Sequence, residues 1–415
     1  MKPVRFLVIG AGSRGATYAE FAAVHPARAQ VAGVAEPRDF YRQAMVEKYD
    51  IDAQNVFDSW QQAAARRRFA DAVIIATQDS MHAAPAVAFA DLGYDILLEK
   101  PMATTLEECR RIVAAAEKND ILFAVCHILR YRNFTRQLKK LIAAGTIGEV
   151  VSIQHLEPVG YWHQAHSYVR GNWRKEADSA FMLLTKSCHD IDWLSYMMEG
   201  KCRSVASFGT LKHFRKEEMP EGAAERCLDC AIEPECAYSA KKIYLGRVQR
   251  GETGWPVDIL TSDTSEAGVL RALREGPYGR CVYQCDNDVV DHQVVIMQFD
   301  GGKTAAFTMT TFNDTMQRKT RIFGTKGDIY ADGSTVRIFD FLTEKIATFE
   351  IPDDNIEHLT GHGGGDYALM DHFTKAVATR DRQFIFSGPQ ETLESHTVVF
   401  AAEQARREKR VVSLP

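Results

Sequence analysis

The chain is 415 residues long, 46% hydrophobic, and carries a formal net charge of −5. That is enough apolar material for a large core and two domains, and the mild acidity gives no general electrostatic reason to hold nucleic acid or a membrane surface. No apolar run approaches the ~18 residues of a membrane span, the first expected strand begins at Val4 with no room for a signal peptide, and the nine cysteines are therefore expected as reduced thiols or metal ligands in a cytoplasmic protein.

The apolar run Val4–Ile9 meets Gly10-Ala11-Gly12-Ser13-Arg14-Gly15 and then a helix-like stretch over 16–24. One glycine permits a tight turn, the next lets a pyrophosphate touch bare backbone, and the third lets the helix lie close on the strand with its N-terminal N–H groups aimed at the phosphates. Many glycine-rich turns are only turns, so the context decides. A second apolar run, 30–35, ends in Glu36, 21 residues beyond Gly15, where such folds place an acid on the ribose 2′-hydroxyl. Glu36 favours NAD. Arg38, just beyond it, is the residue that would accept the 2′-phosphate of NADP, which stays the alternative.

Helical periodicity returns over 38–48, and a short helix is expected near 59–67. The next buried strand, 71–76, ends in Thr77-Gln78-Asp79-Ser80-Met81-His82 ahead of an alanine-rich helix over 83–92. A polar loop therefore stands at the carboxyl end of a strand, where open α/β sheets bind ligands. Asp95–Leu98 runs straight into Glu99-Lys100-Pro101, Thr105 and Glu108 form a capping box for a helix to about Asn119, and a strand at 121–125 closes the sheet. Strands alternating with helices predict a doubly wound, parallel α/β domain over residues 1–127.

After His127 the pattern changes: a helix over 134–143, a strand over 150–156, a loop over 157–174 rich in ring and basic side chains, and a helix over 181–198. Alternating stretches at 203–208, 293–299, 304–311, 318–323 and 336–339, with turns at Gly301-Gly302 and Thr325-Lys326-Gly327, predict an α+β domain over 128–415 with one large, mainly antiparallel sheet. Helices over 366–379 and 390–407 end the chain and are expected to be free to pack back on the first domain. Between about 211 and 290 the periodicity fades in an insertion holding five of the nine cysteines.

Thr185, His189 and Asp192 are spaced i, i+4, i+7 on the 181–198 helix, with Lys186 beside His189 at i+3. A lone helical histidine is usually a packing residue; four polar groups clustered after a loop of rings suit chemistry. His189 would take a proton from a substrate hydroxyl while hydride leaves the same carbon. Lys100 would polarise or help deprotonate that hydroxyl, with Glu99 pairing its charge. Lys186 and Asp192 complete the catalytic candidates. Arg170, Arg174, Lys186, His163 and His166 gather positive charge, and Tyr161, Trp162 and Trp173 offer flat faces to a sugar ring, which suits a sugar bearing carboxylate, phosphate or sulfonate. The competing reading pairs the arginines with Glu157, Glu176 and Asp178. Arg130, Tyr131, Thr185 and His362 are further substrate-binding candidates. Cys227, Cys230 and Cys236 would hold zinc if Cys281, Cys285 or His213 supplied a fourth ligand, but the spacing is not a pair of Cys-x-x-Cys knuckles, so reduced thiols are the default.

The glycine turn at 10–15, Thr77 to His82, Glu99-Lys100-Pro101 and the His189 helix together resemble the glucose–fructose oxidoreductase, inositol dehydrogenase and MocA family over nearly the whole chain. The resemblance implies a Rossmann domain followed by an open-faced sheet domain, NAD or NADP, and sugar or cyclitol substrates. It also places the glycine turn, Ser13, Arg14, Thr77, His82 and Glu99 to Pro101 at the cofactor, Lys100 and His189 beside the nicotinamide, and a homodimer or homotetramer contact on the open sheet. One position departs: plain dehydrogenases of the family carry aspartate four residues before the histidine, and Thr185 stands there. Threonine cannot orient and charge-stabilise an imidazolium, so Asp190, Asp192 or another acid replaces it, or the reaction differs. Gly361 to Tyr367 is similar to a stretch in a branch of NAD-dependent glycosidases, which oxidise a ring carbon transiently, eliminate the aglycone, hydrate and reduce back; its plainer reading is a glycine-rich helix start capped by Asp366. Three functions stay open: a sugar dehydrogenase, a redox-neutral glycosidase acting on a glycoside, and an NAD-binding regulator, against which the presence of both Lys100 and His189 counts.

Overall fold

The computed structural model describes residues 2–314, 317–353 and 361–415. Strands β1 (Val4–Ile9), β2 (Ala29–Ala35), β3 (Val56–Phe57), β4 (Ala72–Ile75), β5 (Asp95–Leu98) and β6 (Phe123–Val125) form a six-stranded sheet in the order β3-β2-β1-β4-β5-β6. Every pairing is parallel, and β4, β5 and β6 are buried from end to end, as strands covered by helices on both faces must be. Thr105 caps as read, its Oγ1 accepting from the Glu108 N–H at 3.2 Å at the start of helix Leu106–Lys118, while the Glu108 carboxylate meets the Thr105 hydroxyl at 3.1 Å rather than its N–H. β3, two residues long, is too short to leave a periodic trace.

The second sheet holds β7 (Val150–Pro158), β8 (Cys202–Thr210), β9 (His292–Phe299), β10 (Thr304–Thr310), β11 (Lys319–Gly324), β12 (Gly327–Ala331), β13 (Thr335–Asp340), β14 (Ile346–Glu350) and β15 (Val412–Ser413) in the order β14-β13-β12-β11-β7-β10-β9-β8-β15. It is mostly antiparallel, but β10 runs parallel to β7 because the hairpin through Gly301-Gly302 delivers it beside a strand entered much earlier in the chain. β14 escapes sequence reading since all five of its residues are exposed and no alternation marks it. The outer face of this sheet leaves Phe208 and Ile296 uncovered, at 64% and 51% exposure.

Two elements differ from expectation in ways that shape the site. The 181–198 helix is two helices, Met182–Thr185 and Cys188–Met198. The Thr185 carbonyl, which an unbroken helix would offer to the His189 N–H, accepts instead from Lys100 Nζ at 2.5 Å. The 157–174 segment is not an open loop: Tyr161–His163 continues into a π-helix, Gln164–Arg170, buried at every residue.

The two sheets are stitched by the C-terminal helices. Helix Gly365–Thr379 shares a core with β1 and helix Ser13–Val24, where Phe373 stacks on Phe6 at 6.3 Å. Helix Pro389–Glu408 packs Leu393 toward the first domain, Val398, Val399 and Ala402 toward the second, and Phe400 against both. The 211–290 insertion has its own core of Phe214, Tyr244, Val257, Leu273 and Tyr278, which takes in Ala165 and Val169 of the π-helix. Among the described residues no helix is long and apolar enough to cross a membrane.

Candidate active site

The order of the first sheet reverses between β1 and β4, and the crevice at their carboxyl ends is flanked by the glycine turn and by Thr77 to His82. Gly10 has φ +87°, and a Cβ there would stand 2.6 Å from the Ala76 carbonyl oxygen; a Cβ on Gly15 would stand 1.9 Å from that of Gly10. Neither position admits another residue without moving backbone. Helix Ser13–Val24 starts behind Gly12 with no side-chain cap, so its first N–H groups are left for a ligand, and the cradle fits a dinucleotide pyrophosphate. Glu36, nearly fully buried, accepts from the Ala11 N–H at 2.8 Å and from Arg38 Nε and Nη2 at 2.7 and 3.0 Å. The two residues that sequence reading set against each other are thus one bidentate pair. Burial works against the charge on Glu36, but the bonds from Arg38 outweigh it and hold its carboxyl below the usual range.

At the end of β5, Glu99 is fixed from three sides: Arg14 Nε at 2.6 Å, the Tyr18 hydroxyl at 2.7 Å and the Lys100 N–H at 2.6 Å. The carboxylate expected to pair the Lys100 ammonium therefore holds its backbone. Arg14, placed at the cofactor by the resemblance, spends its other edge on Asp366 (2.5 Å), whose second oxygen faces His362 Nδ1 at 3.0 Å. His82 is fully buried with its ring nitrogens 2.7 Å from the Pro101 carbonyl and 3.2 Å from that of Thr77, so it clamps the backbone around Lys100 rather than offering itself to a ligand. Thr77 Oγ1 donates to the Met81 carbonyl at 3.3 Å.

Lys100 reaches across to the second domain. Burial, and next to it the Lys100 charge, push His189 well below its ordinary pKa, so its imidazole is neutral; Arg318 adds to the effect. Its Nδ1 has no partner among the described residues. Lys186 is also lowered by burial, with Arg318 and Lys100 adding to it and Glu157 opposing. Its Nζ lies 3.1 Å from Glu157, Arg318 Nε lies 3.0 Å from the same carboxylate, and Arg318 also pairs with Asp190, which stands 3.1 Å from His155. His163 is neutral as well, lowered by burial and then by Lys186. Trp173 Nε1 and Ser179 Oγ donate to Asp79 at 3.0 and 3.2 Å, tying the wall of the second domain to the crevice loop of the first. Burial raises the Asp79 carboxyl against the pull of His82 and Lys100. The site thus sets two neutral imidazoles among Lys100, Lys186 and Arg318; Lys186 pairs with Glu157, Arg318 with Glu157 and Asp190, and the Lys100 charge acts on Asp79 and Glu99.

Several candidates are used elsewhere. Asp192 does not back His189: its carboxylate takes Arg130 Nε and Nη2, each at 2.7 Å, in a fully buried pair, and Arg130 Nη1 donates to the Phe386 carbonyl at 2.6 Å. The Tyr131 hydroxyl binds Ser387 Oγ at 3.0 Å. Neither Arg130 nor Tyr131 has a group left for substrate. Nor does Asp190 replace the missing aspartate, being held by Arg318 and His155. His166 is buried on the Tyr244 hydroxyl (2.9 Å) inside the insertion, Arg170 is fully buried on carbonyls there, and Arg174 pairs with Asp286 at 2.9 Å on the surface. Tyr161 and Trp173 keep exposed faces, at 38% and 37%. Sequence reading missed Asp79, although its loop was marked, and Arg318, which comes from a strand edge with no motif to announce it.

Residues 4–127 match the family model described as oxidoreductase family, NAD-binding Rossmann fold, and residues 139–414 match that of the oxidoreductase family C-terminal alpha/beta domain. The chain is 25% identical over 321 residues to a putative oxidoreductase, YteT, of Bacillus subtilis, covering 72% of this chain and 71% of that protein. It is 26% identical over 209 residues to the 2,7-anhydro-N-acetylneuraminate hydratase of Mediterraneibacter gnavus, covering 50% of this chain and 53% of the hydratase. The crystal structure of a WlbA dehydrogenase from Chromobacterium violaceum in complex with NADH and UDP-GlcNAcA superposes with a TM-score of 0.68 at 18% identity over 100% of this chain and 97% of the other, a likeness of fold.

Proposed function

Because the chain belongs to the oxidoreductase family of glucose–fructose oxidoreductase, inositol dehydrogenase and MocA, we propose that it is the enzyme that takes hydride from a CH–OH carbon of an anionic sugar, with NAD preferred over NADP. The observation that carries this reading is the Lys100 bridge: an ammonium at the end of a Rossmann strand lies 2.5 Å from the Thr185 carbonyl, beside His189. When bound, NAD supplies the hydride acceptor, held by the glycine cradle and by Glu36. His189, neutral, accepts the hydroxyl proton, and the Lys100 ammonium stabilises the oxygen as that proton leaves. Lys100 and Lys186, whose charges help hold His189 and His163 neutral, are the cations that would meet the substrate anion, and Tyr161 and Trp173 supply ring faces. A homodimer or homotetramer through the outer face of the large sheet, at Phe208 and Ile296, belongs to the same reading.

A redox-neutral course, with transient oxidation, elimination, hydration and re-reduction, uses the same first step. It is favoured by one observation: among the described residues no carboxylate hydrogen-bonds His189 Nδ1, with Thr185 at the position where plain dehydrogenases of the family carry aspartate. The likeness to a hydratase of an anhydro-sugar acid agrees.

The test is a panel of anionic sugars and their glycosides with NAD, following cofactor reduction and aglycone release together, for wild type and Lys100→Ala. Net reduction supports the dehydrogenase, and aglycone release without net reduction supports the redox-neutral course. In either case Lys100→Ala should lose at least ~10²-fold in turnover while NADH binding stays within about threefold. Silence on the whole panel with NADH still bound, or equal loss of binding and turnover in the variant, refutes the reading.

A further inference from the structure

Cys227, Cys230, Cys236 and Cys281 line one small cavity of about 20 Å³, room for a single water-sized occupant, and Arg170 lines it with them. The first three sit in consecutive short turns, and the fourth is delivered by the bridge that pairs Arg226 with Arg280. Of the other candidates for a fourth ligand, Cys285 turns its thiol to the Cys281 carbonyl at 3.3 Å and His213 faces the Tyr283 hydroxyl at 3.1 Å.

Arg170 is what makes this cavity more than a cluster of thiols. It is fully buried, donating from Nε to the Arg280 carbonyl at 2.7 Å and from Nη2 to the Tyr238 carbonyl at 2.9 Å and to Cys227 Sγ at 3.5 Å. Nη1 has no partner, and among the described residues no carboxylate pairs with this guanidinium. Glu233 borders the cavity, but it is taken by Lys241 at 2.6 Å and by Ser239. A charged group buried with no counter-charge costs several kcal/mol, so the site asks for something negative.

We propose that Cys227, Cys230, Cys236 and Cys281 bind one zinc ion, and that the resulting tetrathiolate, with a net charge of about −2, is the missing counter-charge of Arg170. Among the described residues no three His, Cys, Asp or Glu side chains already surround a metal-sized point, and the Cys227 thiol faces the Arg280 carbonyl at 3.9 Å, so the sulfurs must turn to take the ion. On binding, four S–H protons leave to solvent, four Zn–S bonds form, and each sulfur turns inward by side-chain rotation, with no change of oxidation state. The metal would lock the insertion to the π-helix, which begins one residue after His163, and so would fix a wall of the active site without touching substrate.

The experiment is elemental analysis of the full chain purified from zinc-supplemented medium, together with cobalt substitution of the same preparation. About one zinc per chain is expected, with the intense visible bands of tetrahedral cobalt tetrathiolate. Cys227→Ser and Cys281→Ser should each lose at least ~10-fold in bound zinc, Cys285→Ser should keep it, and Arg170→Met should lose it faster to a chelator. If the cysteine variants fail to fold, the wild-type metal content and cobalt spectrum decide alone. The proposal is overturned if wild type holds below ~0.1 zinc and yields no thiolate bands with cobalt, if iron replaces zinc, or if Cys285→Ser loses the metal as Cys227→Ser does.

Discussion

Asp192→Asn separates a structural acid from a catalytic one. Asp192 and Arg130 meet through two charge-assisted bonds of 2.7 Å each, at 0% and 4% exposure. Burial alone would raise the Asp192 carboxyl, but Arg130 outweighs it and holds it ionised. The amide keeps the shape and one acceptor but removes the charge, leaving a guanidinium buried without a counter-ion. Breaking a buried pair in this way costs roughly 3–5 kcal/mol, a large part of the ~5–15 kcal/mol that holds a domain. Denaturant unfolding followed by fluorescence should show a loss of that size, and Arg130→Met with Asp192→Leu should return most of it, because neither partner is then left charged. NADH binding by the folded fraction should be unchanged, and turnover should fall less than about tenfold, far short of the ~10²–10⁴ that removing a general acid or base costs. A variant as stable as wild type whose turnover has collapsed would refute the reasoning and restore Asp192 to the chemistry.

Buried histidines set the acid limit of stability. His127 is pushed down to about 4 by burial, and His166 and His396 to about 3, from the same first cause. Because their folded pKa values lie below the unfolded value near 6.5, the unfolded chain binds more protons between pH ~6.5 and ~4, so stability is fully present above that window and is lost as pH falls through it, on the order of 3 kcal/mol for His127. Melting temperatures that stay flat from pH 7 to 4.5 would contradict this. Gly15→Ala places a Cβ 1.9 Å from the Gly10 carbonyl oxygen; the helix must move off the turn, costing about 1–3 kcal/mol of stability, and NADH titration should show affinity lost at least ~10-fold. Undiminished NADH affinity would mean that the cradle does not hold the cofactor.

The Rossmann half was legible because its signals are local: the glycine turn, the cap at Thr105 and strands buried end to end all lie within a few residues of what they build. Lys100 and His189 could be paired from the motifs that carry them, since each sits at the end of a regular element. What defeated sequence reasoning was the use of charge. Arg130, Arg170 and Arg174 look alike in a sequence, yet their partners lie 62, 110 and 112 positions away: Arg130 and Arg174 pair with acids, and Arg170 is buried on the carbonyls of the insertion. The helical spacing of Thr185, His189 and Asp192 assumed an unbroken helix, and the structure breaks it there, with the Thr185 carbonyl taken by a lysine 85 positions upstream. Arg318 orders Glu157 and Asp190 from a strand edge and left no pattern to read.

The central claim is that groups from the two domains converge on one substrate oxygen. A crystal structure with NADH and an anionic sugar tests it most directly. The account predicts Lys100 Nζ and the His189 imidazole both about 3 Å from the same hydroxyl oxygen, with the carbon that bears it against the nicotinamide. Either side chain turned away from that oxygen, with the sugar in place, would contradict it.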